Sequence, residues 1–155
     1  MRGDGNGWIR CAQGHRHWGV NGAAGLLLRR TGRHGAMPSV LMQHRAAWTS
    51  DGDTWGIPGG ARDSHETFAQ AALREAAEEA GIESSAVRVI DEWVDDHGGW
   101  SYVTVIADAI AALTIVANAE SAELRWVPEP VIDALALHPG FARTWPSVRS
   151  HPQGR

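Results

Sequence analysis

Three glutamates in this chain are spaced to act together. Glu75, Glu78 and Glu79 fall within ALREAAEEAGI, in the i, i+3, i+4 relation that sets Cβ atoms about 5–6 Å apart on a helix. Like charges that close repel, so the cluster wants a cation. Carboxylate oxygens with no Cys or His among them suit Mg²⁺, with Mn²⁺ possible, rather than zinc. The plainer reading of Glu78-Glu79 is a solvated acidic face. Against it, Arg74 and an upstream Gly59-Gly60 come with the acids.

A helix must carry these side chains. Ala, Leu, Arg and Glu dominate positions 66 to 80, between the breakers Gly59-Gly60 and Gly81, and they are strong helix formers. At about 100° per residue, Phe68, Ala69, Ala72, Ala76 and Ala80 gather on a packing side and the glutamates on an adjoining side.

The stretch from Gly60 to Ile82, GARDSHETFAQAALREAAEEAGI, resembles the signature of the Nudix hydrolases. It matches at Gly60, Glu66, Arg74, Glu75, Glu78, Glu79 and Gly81, and Ile82 supplies the closing aliphatic residue. Ala76 is smaller than the aliphatic residue usual there. The resemblance implies an α/β fold, the Nudix α/β/α sandwich with a central mixed sheet, and water attacking a phosphorus of a diphosphate bridge with Mg²⁺ as cofactor. It implies Glu78 and Glu79 as metal ligands, and Glu75 as a further ligand or as the group that orients and deprotonates the water. Arg74 would hold a carboxylate in place, Glu66 would support the helix start, and Gly81 would end the helix. A carbonyl at Gly59 or Gly60 would complete the metal shell. An acid ahead of the last strand, Glu123 first and Glu120 in reserve, would reach across to it.

Beyond this signature, QHRAAW, WGIPGGARDSHE and ESAELRWV look like actinobacterial MutT-type members, which remove oxidised purine nucleotides such as 8-oxo-dGTP. Arg45 stands where such enzymes contact the nucleotide, although a surface Arg is an equal reading. His138 occupies the place of a base-reading Asn, and its ring can donate or accept a hydrogen bond to a purine. Three other readings stand beside this one. ADP-ribose hydrolysis is disfavoured because no proline lies between Pro58 and Pro128. Dinucleoside polyphosphate hydrolysis would use a tyrosine somewhat nearer than Tyr102. A non-catalytic nucleotide sensor would have lost acids that this chain keeps.

Composition sets the frame. A length of 155 residues, 43% hydrophobic and 21% charged, predicts one domain over 1–155, with residues 1–7 and 151–155 loose. A net charge of −4 argues against a duplex nucleic-acid partner and leaves a nucleotide substrate compatible. Cys11 is the only cysteine, which suits a reducing compartment. No apolar run reads as a signal or a membrane span, so a cytoplasmic monomer or homodimer is expected. Cys11, His15 and His17 lack the second ligand pair that zinc demands, and read as structural or solvent-exposed residues.

Strands are expected around Leu26–Leu28 and Ser39–His44 as a hairpin, at Val87–Val94 and Trp100–Asp108 about the turn Asp95–Gly99, and before Pro128. Ala46–Gly60 reads as a loop, and Ala111–Ala117 as strand or loop. Helices are expected over Glu129–Leu137 and from His138 through Trp145, where Pro146 perturbs the last one.

Overall fold

The run AAGLLL has no polar break, as a strand covered on both faces requires. A computed structural model describes residues 3–32, 36–49 and 51–150; the expectation for 151–155 lies outside them. The chain runs β1 (Trp8–Arg10), β2 (Arg16–Trp18), β3 (Ala23–Arg30), β4 (Ser39–Arg45), β5 (Trp55–Gly56), β6 (Gly59–Ala61), α1 (Phe68–Ala80), β7 (Val87–Asp96), β8 (Ser101–Ala109), β9 (Ser121–Pro128), α2 (Glu129–Ile132) and α3 (Pro139–Val148). The central strand β3 lies parallel to β8, from Ala23 opposite Tyr102 to Arg29 opposite Asp108. All other pairings of named strands are antiparallel, in the order β5-β4-β3-β8-β7 with β6 on β3 and β9 on β4.

This mixed sheet is covered on both sides. On one face Ala24, Leu26, Leu28, Val103, Val105 and Ala107 pack against Ala71, Ala72, Ala76 and Ala80 of α1. On the other, Leu27, Val40, Met42 and Val127 meet Ile132, Phe141, Trp145 and Val148 of α2 and α3. The α/β/α sandwich expected from the sequence is thus present. Ala76, the undersized position of the signature, is fully buried. It completes a stripe of alanines that lets α1 lie close to the sheet.

The ends of α1 follow local chemistry. Thr67 is the N-cap: its side chain accepts the Gln70 amide, and the Gln70 side chain accepts the Thr67 amide, which satisfies two of the free donors at a helix start. Glu66 therefore precedes the helix instead of opening it. At the other end Gly81 takes φ 69° and ψ 23° and donates back to Ala76 and Ala77 carbonyls, a left-handed cap that favours glycine.

Other boundaries depart from expectation. The stretch read as one loop holds β5, paired to the preceding strand β4, and β6, paired to the more distant β3. The helix expected through Leu137 stops at Ile132. Pro146 lies inside α3, and the helix passes it because Arg149 still donates to the Trp145 carbonyl. β1 and β2 form a separate two-stranded hairpin with Trp8 opposite Trp18. Residues ahead of it, read as loose, are held where described: the Gly5 amide donates to Asp63 Oδ1 at 2.9 Å, and its carbonyl accepts the Val20 amide. Among the described residues no helix is long and apolar enough to cross a membrane.

Candidate active site

Arg74 organises the exposed edge of α1. Its Nε and Nη2 fork onto the two oxygens of Glu66 at 2.7 and 2.9 Å. Nη2 also reaches the Ala61 carbonyl at 2.9 Å, and Nη1 reaches Glu75 at 3.0 Å and Glu78 at 3.3 Å. A planar guanidinium can hold that many acceptors at fixed angles; an ammonium cannot. Glu66, buried and also accepting the Asp63 amide at 3.0 Å, anchors the arginine. Hydrogen bonds from Arg74 hold the Glu66 carboxyl below its usual range.

The three glutamates occupy different surroundings. Glu79 is buried, and its Oε1 accepts from Gln43 Nε2 at 3.1 Å and from the Gly59 amide at 3.2 Å. Glu75 is hydrogen-bonded to it. Burial first, then the neighbouring Glu75, push the Glu79 carboxyl up to about 9, and burial raises Glu75 as well. Both shifts favour a proton held between the two carboxyls. Glu78 differs: its side chain is 58% exposed against 15% for Glu75. The structure thus brings Glu75 and Glu79 together, with Glu78 at the rim of the pair.

Gly59 and Gly60 serve through absent side chains. Neither takes positive φ, because both lie in extended β6. A Cβ on Gly59 would stand 2.4 Å from the Ala24 carbonyl oxygen. The contact they make to the acids is the Gly59 amide on Glu79.

Glu123 is placed elsewhere. It pairs with His44, and strand alternation puts it with Arg125 and Val127 on the α2/α3 face, whereas Leu124 and Trp126 pack on the α1 side. Arg125 forks onto it at 2.9 and 3.0 Å. The register of β9 shifts between His44 and Arg45, skipping Ala122. That shift returns Ser121 to the α1 side, where its hydroxyl accepts from Gln43 at 2.8 Å. Glu120 is next to it, exposed, with its carbonyl accepting the Ala46 amide.

His138 caps α3. Its Nδ1 accepts the Gly140 amide at 3.0 Å, so Nε2 carries the proton and faces Asp51 Oδ2 at 3.2 Å. Both ring nitrogens are thereby engaged within the protein. Burial lowers the pKa of the ring, favouring this neutral form. Asp51 takes φ 54°, in the left-handed region that short polar side chains tolerate. The Arg45 charge acts on both His138 and the Tyr102 hydroxyl.

Two of these neighbours escaped the sequence reading. Gln43 and Asp51 carry no expectation from the sequence, and Tyr102 carries one only through the dinucleoside polyphosphate reading, which stays open beside the others. The hydroxyl of Tyr102 fills the space of a Gly25 side chain, 2.0 Å from where a Cβ would be. Burial pushes its pKa up, and the Glu79 charge adds to that. A signal existed for Gln43, the one uncharged polar residue inside the apolar run VLMQ.

A mixed sheet between helices, carrying a buried carboxylate pair beside an arginine fork, describes an enzyme built around acidic groups. A family model for the NUDIX domain matches residues 20–148, and the chain belongs to that family and is a hydrolase. It is 51% identical to the "Putative 8-oxo-dGTP diphosphatase 3" of Mycobacterium tuberculosis, over 98% of this chain and 72% of that protein. The crystal structure of RenU, a Nudix hydrolase from M. smegmatis, matches with a TM-score of 0.88 and 50% identity, over 94% of this chain and 93% of the other. A C. elegans Ap4A hydrolase shares the fold at 20% identity and a TM-score of 0.64, over 83% and 96% of the two chains.

Proposed function

We propose that this hydrolase splits a nucleoside triphosphate into the monophosphate and pyrophosphate, and that oxidised purine nucleotides such as 8-oxo-dGTP and 8-oxo-GTP are its preferred substrates. The observation that carries the reading is the Glu75–Glu79 pair. Two carboxyls buried together against an amide and Gln43 are costly as two anions, and a cation in place of their shared proton removes that cost. An all-oxygen donor set fits Mg²⁺, with Mn²⁺ as substitute. Glu79, Glu75 and Glu78 would hold it, with a carbonyl from Gly59 or Gly60. When bound, such a cation neutralises phosphate charge and makes water more acidic.

The remaining work belongs to the chain. Glu75, set between Arg74 and Glu79, accepts the proton as water adds to phosphorus, while the anhydride P–O bond breaks and pyrophosphate leaves. General-base help of this kind contributes about 10²–10⁴-fold. Arg74 aims Glu75, and Glu66 aims Arg74. Arg45 forks onto the phosphates. His138 acts through Asp51, whose carboxylate can accept a hydrogen bond from a purine N–H. The name carried by the M. tuberculosis relative supports the oxidised-purine choice.

The test is turnover with Mg²⁺ on 8-oxo-dGTP, 8-oxo-GTP, dGTP, ADP-ribose and diadenosine tetraphosphate side by side. The highest kcat/KM is expected on the 8-oxo nucleotides, with monophosphate and pyrophosphate as products. The place of Tyr102 beside Gly25 favours diadenosine tetraphosphate as the second reading, and a higher kcat/KM there would select it. Saturable nucleotide binding without product throughout would overturn both and indicate a sensor.

A further inference from the structure

We infer that Cys11, His17 and His97 form a zinc-class metal site, separate from the glutamates, that clamps the β1–β2 hairpin to the turn between β7 and β8. From spacing alone Cys11 and His17 lack partners. The fold supplies one from eighty residues further along the chain. Ligand atoms of Cys11, His17 and His97 all lie within 4.8 Å of one another. A tetrahedral ion with bonds of about 2.0–2.3 Å would hold such atoms about 3.5 Å apart, so closing the site needs side-chain movements of about 1 Å.

Independent observations point to a ligand here. Cys11 is buried and free, and His17 Nε2 is buried without a hydrogen-bond partner among the described residues. A buried nitrogen left unsatisfied is uncommon and asks for a cause. His97 already has the outer partner that metal-bound histidines usually have: its Nε2 meets Asp95 Oδ2 at 3.1 Å, which leaves Nδ1 for an ion. Asp95 is itself held by Arg143 at 3.3 Å.

The surroundings fix the rings. His17 stacks on Trp100 at 3.9 Å and 7°, and His97 meets the same indole edge-on at 5.4 Å. Trp100 Nε1 donates to the Gly19 carbonyl at 2.9 Å. The Ala12 amide donates to the Gly98 carbonyl at 2.7 Å, which ties the segment after Cys11 to the turn that carries His97. One sulfur and two imidazole nitrogens suit Zn²⁺ and not Mg²⁺. The thiol proton would pass to solvent on binding, and a water would complete the tetrahedron.

Cobalt(II) is the probe, because a thiolate bound to it gives a charge-transfer absorption that carboxylates do not. The full chain, stripped with a chelator, is titrated with Co²⁺. A single equivalent is expected to raise that absorption together with tetrahedral visible bands, and Zn²⁺, but not Mg²⁺, should bleach both. Cys11→Ser should abolish the charge-transfer band. Asp95→Asn, which leaves all three ligands in place, should weaken Co²⁺ binding by about 10–100-fold. No charge-transfer band in the unmodified chain, or one that survives Cys11→Ser, would overturn the site.

Discussion

A side chain on Gly60 would collide with Glu75: a Cβ there stands 2.5 Å from the Glu75 carboxyl carbon. The obstacle is the far end of a flexible side chain, so Gly60→Ala can be accommodated by moving the carboxylate. The fold should survive and the chemistry should not. A displacement of about 1 Å at a reacting group costs about 10²-fold in rate. The expected result is that loss in kcat/KM with an unchanged circular dichroism spectrum; wild-type turnover would show that Glu75 does not act from this position.

The shared proton of Glu75 and Glu79 makes stability depend on pH. The folded-state pKa of Glu79 is raised from 4.5 to about 9, so the folded state binds more protons than the unfolded chain between those values. Stability from this source is full below about 4.5 and is lost as pH rises through about 9. In chelator, the Tm should therefore fall over that window, and Mg²⁺ should restore it at the alkaline end. Glu79→Gln should flatten the profile, melt higher than the metal-free parent at pH 8, and lose Mg²⁺-dependent turnover. A parent Tm independent of pH in chelator would refute the linkage.

Arg74→Lys keeps the charge and loses the fork. At most one of the contacts to Glu66, Ala61, Glu75 and Glu78 can be rebuilt well by an ammonium. Loss of charge-assisted hydrogen bonds at a partly exposed site should lower stability by about 1–3 kcal/mol, read by urea denaturation. Turnover should fall more steeply than stability, because Glu75 loses its guide.

The two acids ahead of β9 can be separated. Glu123→Gln alters a carboxylate on the α2/α3 side of the sheet, bonded to Arg125, and should leave kcat/KM near the parent value. Glu120→Gln, one residue from the Ser121 that contacts Gln43, should weaken apparent Mg²⁺ affinity. A Mg²⁺ titration of the two variants reads the difference, and the reverse order would restore Glu123 to the metal.

Much of the fold was legible because one segment states its own rules. Breakers, a stripe of alanines and a closing glycine define α1, and apolar runs define β3, β4 and β8. The carboxylate cluster was equally legible, since helical spacing alone places Glu75 beside Glu79. What was hidden depends on contacts between distant strands. β6 looks like a loop because its glycines carry no strand preference; it is a strand because Gly59, with no Cβ, can lie close against the β3 backbone at Ala24 and Gly25. The side on which Ser121 falls depends on a register shift, and His97 joins Cys11 and His17 only through the folding of two hairpins.

The skipped Ala122 has a consequence for tracing acids between relatives. A strand shows alternate residues to alternate sides, so one residue more or fewer inverts everything beyond that point. Were β9 to run straight with Ala122 paired in register, Ser121 would turn away from Gln43 while the acid before it swung toward Glu79. Alignments that count backwards from the strand will therefore name the wrong carboxylate whenever two chains differ there in this single kink.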